Sequence, residues 1–221
     1  MMLKRISFAA ALAVLLALGG CVTQPRKSDF TQLRVENPRS VLVVPVVNRS
    51  VDVNAPEYFL STISRPIAER GYYVFPVHLV KSMMEEDGLS DADLVHNSDP
   101  KRLGKLFGAD AIMYVSIERW DAKYIVLSTT VTVEMSYVLK SASSGETLWK
   151  NQQKLVYQPQ NNQGGGIAGL IAAAVVAAIQ KAAPNYIPLA QQANASAVST
   201  KGVGLPSGPY DALHLKDQTD F

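Results

Sequence analysis

The 221-residue sequence predicts an α+β fold: a mixed β-sheet in the order β-α-β-α-α-β-β-β, helices mainly on one face, and an alanine-rich helical hairpin near the C-terminus. Three observations carry this. A strand, helix, strand succession opens the patterned region, which favours parallel pairing through a crossover. A long alternating run and a tight turn close it, which favours antiparallel pairing. Between positions 164 and 199 the composition shifts to alanine at helical spacing.

The elements follow in order. Ser40–Asn48, SVLVVPVVN, is a β-branched run of the kind found in buried strands, and Pro45 must leave one side unpaired or bend it. Asn54–Arg70 carries helix punctuation: Asn54 as cap, Pro56 in the first turn, Glu57 three after the cap, and Gly71 to end it. Phe59, Leu60, Ile63 and Ile67 keep helical spacing, and Pro66 should kink the last turn. Tyr72–Val77 is a second strand and Leu79–Glu86 a short helix closed by DGLSDAD. Ser98-Asp99-Pro100 starts another helix, which Gly108 ends. Ala111–Trp120 is a third strand, apolar on both faces at first, as a central strand should be.

Tyr124–Lys140 alternates most cleanly. Ile125, Leu127, Thr129, Val131, Val133, Met135, Tyr137 and Leu139 occupy one face; Ser128, Thr130, Thr132, Glu134, Ser136 and Lys140 occupy the other. Period two predicts one buried and one wet face. Ser141–Gly145 turns the chain, and Glu146–Tyr157 returns antiparallel. Trp120 and Trp149 are expected to pack in the core or at the sheet end rather than stack on a ligand.

Ile167–Ile179 has no polar side chain, yet as a helix it reaches only about 20 Å, short of a bilayer. Gly169, Ala173 and Ala177 form a small-residue stripe; Ala190, Ala193 and Ala197 of Pro188–Ser199 give a matching face. A helical hairpin packed on the sheet is the favoured reading. A homo-oligomer or partner interface through residues 167–199 comes second, and membrane contact third. Gly164–Gly166 lacks the lysine and Ser/Thr of a phosphate loop and reads as a hinge.

The N-terminus gives an address. Lys4 and Arg5 precede an apolar run from Ile6, too short to span a membrane comfortably. Leu18-Gly19-Gly20-Cys21 then resembles the bacterial lipobox and holds the only cysteine of the chain. In such signals the thiol receives a diacylglycerol, the peptide is cut before the cysteine, and the new amino terminus is acylated. Cys21 is therefore the predicted lipidation site. An ordinary signal peptide with an incidental cysteine is the alternative. Several acyl chains on one residue would hold a protein firmly, since each buried methylene adds about 0.8 kcal/mol. Val22, where inner-membrane lipoproteins commonly carry aspartate, points to the outer membrane. The predicted layout is residues 1–20 signal peptide, 21–39 lipidated cysteine and flexible tether, 40–158 mixed-sheet domain, 159–200 glycine-rich hinge and alanine-rich hairpin, and 201–221 irregular tail.

Composition narrows the chemistry. Lys4 and Arg5 account for the formal charge of +2, so the remainder is neutral, which argues against nucleic acid as a partner. One cysteine and the scattered His78, His96 and His214 make a zinc site an unattractive reading. Asp87, Asp91 and Asp93 lack the glycine and terminal glutamate of a calcium loop. Glu118, Glu134 and Glu146 lie on or beside strands without a spacing that brings two together. No nucleophile-elbow or zincin motif occurs. The expectation is no enzyme, no cofactor and no metal.

The lipobox, VLVVPVVNRSVDVNAPEYF, GYYVFPV, LFGADAIMYVSIERW, SGETLW and GPY, in this order, resemble a family of Gram-negative lipoproteins of unknown function. That family is associated in gene neighbourhoods with the curli-type secretion lipoprotein CsgG. The resemblance implies a fold like the N-terminal domain of TolB, shared in outline by the periplasmic part of CsgG and by LpoB-type activators of peptidoglycan synthases. It implies no catalytic residues. The expected function is a non-catalytic structural or adaptor lipoprotein on the periplasmic face of the outer membrane. It would bind a CsgG-like lipoprotein or another envelope assembly. An LpoB-type regulator of a peptidoglycan synthase and a small-ligand or lipid carrier are the alternatives.

Overall fold

The computed structural model describes residues 28–125, 128–157 and 185–221. The elements are α1 (Thr31–Glu36), β1 (Ser40–Val43), β2 (Val47–Asn48), α2 (Ala55–Glu69), β3 (Tyr73–Val74), α3 (Val77–Glu86), α4 (Ala92–His96), α5 (Pro100–Phe107), β4 (Ala111–Ile125), β5 (Ser128–Ser141), β6 (Thr147–Tyr157) and α6 (Ile187–Ser199). The strands form one mixed sheet in the order β3-β1-β4-β5-β6, with β2 also pairing β4. β1 is parallel to β3 and β4, while β4, β5 and β6 are antiparallel. The mixed α+β architecture is the one the sequence predicts.

Several elements differ from expectation, each for a local reason. The run Ser40–Asn48 is two strands. Val41 lies opposite Ala111 but Val47 lies opposite Ser116, so one extra residue is accommodated around Pro45, which has no N–H to pair. β3 shrinks to Tyr73–Val74. The predicted strand Tyr124–Lys140 is cut: Tyr124 and Ile125 end β4, and β5 begins at Ser128. Asn54 makes no side-chain cap; Asp52 Oδ1 instead accepts from Asn54 N at 2.9 Å, and Glu57 pairs with Lys81 at 2.9 Å. The extra helix α4 is capped by Asp91, which accepts from Asp93 N at 2.8 Å.

The helices occupy both faces rather than mainly one. Val41, Val43, Ala111, Met113 and Ile117 turn toward α2 and α6. Leu42, Val44, Ile112 and Tyr114 turn the other way, with Val80, Met84, Val95 and Leu103 of α3, α4 and α5. Alternation of side chains along a strand makes these opposite faces. The α2/α6 side extends along β5, where Val131, Val133, Met135, Tyr137 and Leu139 are all buried, as their period predicts. A bulge at Glu118 resets the parity of β4, so that Trp120 joins Ile117 in the same core. Both tryptophans are core residues; Trp149 Nε1 donates to the Val203 carbonyl at 2.8 Å.

The predicted tether is folded in its second half. Phe30, just before α1, and Leu33, within it, are buried, and Asn37 ends the helix in the left-handed conformation. Six residues of helix in a polar, proline-flanked stretch carry too weak a periodicity to be seen in advance. The hinge and the predicted helix 167–179 lie outside the described residues. The second predicted helix is α6, and its small face, Ala190, Ala193 and Ala197, is fully buried against the domain's own core. That face is therefore spent on intramolecular packing and is not open to a neighbouring copy.

The C-terminal tail has neither helix nor strand, yet it is fastened. Gly208 N donates to the Arg70 carbonyl at 2.7 Å and Tyr210 N to the Gly71 carbonyl at 3.0 Å. Gly71 has φ +77° and would drive a Cβ into Asp211; a Cβ on Gly208 would strike the Gly71 carbonyl and the Tyr72 ring. Two glycines thus allow two backbones to cross in contact.

Candidate functional site

Two regions combine accessibility with unsatisfied binding capacity. The first is the free edge of the sheet. β6 pairs with β5 on one side only; among the described residues no backbone–backbone hydrogen bond joins it to another element, and Gln152 N donates to Asn151 Oδ1 at 2.8 Å. An eleven-residue strand with one open side is a template for strand addition. Lys150, Gln152, Lys154 and Val156 alternate along it as exposed residues, and Lys154 reaches Glu134 at 3.9 Å. The lysines are edge charges of the kind that discourage indiscriminate pairing.

The second region is the end of the sheet where the N-terminal lead enters. Ser28 N donates to the Gly202 carbonyl at 3.1 Å. Phe30 meets Phe221 edge-on at 5.8 Å, and Arg34 Nη2 donates to the Phe221 carbonyl at 3.2 Å. Asp217, buried, accepts from Ser207 N at 2.6 Å and from Arg70 Nη2 at 3.1 Å. Arg70 Nε donates to the Leu205 carbonyl at 2.7 Å, and its guanidinium stacks over the Phe221 ring at 4.8 Å. Tyr72 hydroxyl donates to the Pro206 carbonyl, and burial raises its pKa, so it remains a donor. At the same end a polar cleft of about 670 Å³ opens between α1, α5 and the β5–β6 turn. Arg39, Lys101 and Lys105 rim it over a floor that includes Gly104, Ala109 and Ala142.

The structure disperses the candidate ligands. Cys21 lies outside the described residues. His78 is exposed; His96 Nε2 sits 3.0 Å from the Pro45 carbonyl; His214 Nδ1 sits 2.8 Å from the Ser207 carbonyl. Asp91 caps α4, Asp93 lies in its first turn, and Asp87 follows the end of α3. Glu118 faces Arg49 at 4.0 Å, Glu134 faces Lys154, and Glu146 lies in the β5–β6 turn. Among the described residues no group of three His, Cys, Asp or Glu side chains could hold a metal, and no helix is long and apolar enough to cross a membrane. The basic cleft went unseen in the sequence because Arg39 is far from the Lys101/Lys105 pair in the chain. The i, i+4 spacing of that pair was its one visible signal.

His96 supplies a pH prediction. Burial lowers its pKa, outweighing the bond to Pro45. The unfolded chain, titrating near the ordinary value of ~6.5, then binds more protons than the folded one in the window just below it. Stability held above that window is lost as pH falls through it. Urea melts between pH 7.5 and 5 should show a decline that His96→Gln reduces.

A mixed sheet flanked by helices on both faces, with residues 28–34 clamped against the C-terminal tail at one end and an open strand at its edge, defines an α+β domain. Residues 28–210 match the family described as "Putative lipoprotein GNA1162-like", and the chain belongs to that family. "Putative lipoprotein NMB1124/NMB1162" of Neisseria meningitidis serogroup B is 34% identical over 166 residues, 75% of this chain and 77% of its own. The crystal structure of lipoprotein GNA1162 from Neisseria meningitidis superposes with a TM-score of 0.55 at 32% identity, covering 63% of this chain and 96% of that one. The PelC dodecamer from Paraburkholderia phytofirmans is similar at a TM-score of 0.45 and 13% identity, over 84% of this chain and 100% of that one.

Proposed function

We propose that this chain is a lipid-anchored, non-catalytic adaptor on the periplasmic face of the outer membrane, acylated at Cys21 and binding a protein partner along β6. The observation that carries the reading is the chain's place in a lipoprotein family together with a fold that begins within seven residues of the lipobox cysteine. Seven residues of chain reach ~25 Å at most. The domain then stays beside its own membrane, which suits a neighbour in the same bilayer better than a synthase across the periplasm. The partner class is a CsgG-like secretion lipoprotein or another envelope assembly.

Mass spectrometry of the processed chain should find a triacylated residue 21; a free thiol or a different start ends the anchor reading. A photo-crosslinker at Gln152 or Lys154 should capture one partner in intact envelopes, while one at His78, away from the edge, should not. Recovery of only uncrosslinked monomer from the β6 positions overturns the adaptor role.

A further inference from the structure

We propose that the cleft rimmed by Arg39, Lys101 and Lys105 is a seat for the phosphate of an anionic phospholipid in the bilayer that holds the anchor. The location rests on the anchor reading above; the chemistry rests on the cleft itself.

Two acids, Asp110 and Glu36, share the cleft with the three cations; neutral donors hold them, so they keep their charge and leave the cations one charge in excess. Asp110 Oδ2 accepts from Arg39 N at 2.9 Å, Ser40 N at 3.0 Å and Ser40 Oγ at 3.0 Å. Glu36 accepts from Ser143 Oγ at 3.1 Å. The cations are not engaged. Among the described residues, Arg39, Lys101 and Lys105 enter no ion pair, although seven others form between side chains elsewhere. Lys101 and Lys105 stand at i and i+4 on α5, where like charges repel. Neither has a carboxylate within 4 Å, whereas Lys81 on α3 has both Glu57 and Glu85. Three exposed cations without an ion-pair partner around one concavity attract an oxyanion. A side chain at position 104 would overlap Ala142, so the close seating of α5 on the β5–β6 turn depends on glycine.

The geometry selects a membrane phosphate. Asn37, Pro38 and Arg39 line the cleft and follow directly on α1, whose first turn receives the N-terminal lead. Six helical residues separate the two by ~9 Å. With ~25 Å of lead at most, the headgroups come within reach of the cleft when this end of the domain faces the membrane.

The test uses the chain from position 21 with Cys21→Ser, so that acylation plays no part. Sedimentation with vesicles of three parts phosphatidylcholine to one part phosphatidylglycerol is compared with pure phosphatidylcholine. The chain should bind only the anionic vesicles. A basic residue near such a surface strengthens binding about fivefold, so Arg39→Gln/Lys101→Gln/Lys105→Gln should weaken it about 100-fold. Lys150→Gln/Lys154→Gln, on β6, should leave it unchanged. Near-UV circular dichroism confirms that each variant is folded. Binding by the triple variant within twofold of wild type overturns the proposal, as does an equal loss in the β6 pair. Binding of inorganic phosphate without any binding to the anionic vesicles assigns the cleft to a soluble anion and overturns the lipid seat. Because no acyl chain is present, failure here is separable from failure of the anchor reading, which the mass of residue 21 decides.

Discussion

Asn194→Ala is expected to cost about 3–4 kcal/mol of stability, measured as the loss in urea unfolding free energy. Asn194 is fully buried on α6 and joins three parts of the fold. Its Oδ1 accepts from the Tyr137 hydroxyl of β5 at 2.8 Å. Its Nδ2 donates to Thr62 Oγ1 of α2 at 2.8 Å and lies 3.4 Å from the Phe59 carbonyl. Thr62 in turn donates back to its own helix, with Oγ1 2.8 Å from the Tyr58 carbonyl and 3.0 Å from that of Phe59. Truncation strands the Tyr137 hydroxyl in the interior, each orphaned group costing ~1–3 kcal/mol, and leaves a small cavity. Burial raises the Tyr137 pKa, so ionisation gives no escape. Tyr137→Phe should cost less, and the double variant should fall short of the sum by 0.5 kcal/mol or more. Strict additivity would show that the network does not act as a unit.

Arg70→Met should cost about 3–5 kcal/mol and release the tail. Arg70 is largely buried, Asp217 more so, and removing the cation leaves a buried carboxylate supported by the Ser207 N–H. The same change deletes the bond to the Leu205 carbonyl and the stack on Phe221. Limited proteolysis should then cut first between 201 and 221, and the wild type should resist cleavage there. Arg70→Met/Asp217→Leu should recover part of the loss, because replacing both ions removes the uncompensated charge. Equal proteolysis of wild type and Arg70→Met would mean that the glycine crossing, not the ion pair, holds the tail.

Much of the fold was legible in local pattern. The β5 alternation, the Asp99-Pro100 start of α5 and the glycine after α2 each act within a few residues, and each is where it was expected. What stayed hidden depends on partners far along the chain. Nothing near Arg70 announces Asp217, and nothing near Asn194 announces Tyr137. The two-sided helix arrangement was hidden for the same reason: Leu42 and Val44 are as apolar as Val41 and Val43, and a doubly covered strand has no wet face to betray its layers. The candidate cleft was equally non-local, while the predicted modification site was wholly local, four residues at the end of an apolar run.

Phe30 packing on Phe221 makes the C-terminal tail a brake on the stretch that leads into α1. Tension entering from upstream of residue 28 meets that ring contact and the Arg34 grip before it reaches any strand. If the brake slips, α1 and its flanks pay out as extended polypeptide, adding up to ~40 Å to the line. Under the proposed anchor at Cys21, the standoff between domain and membrane becomes a property of the C-terminal tail, two hundred residues along the chain.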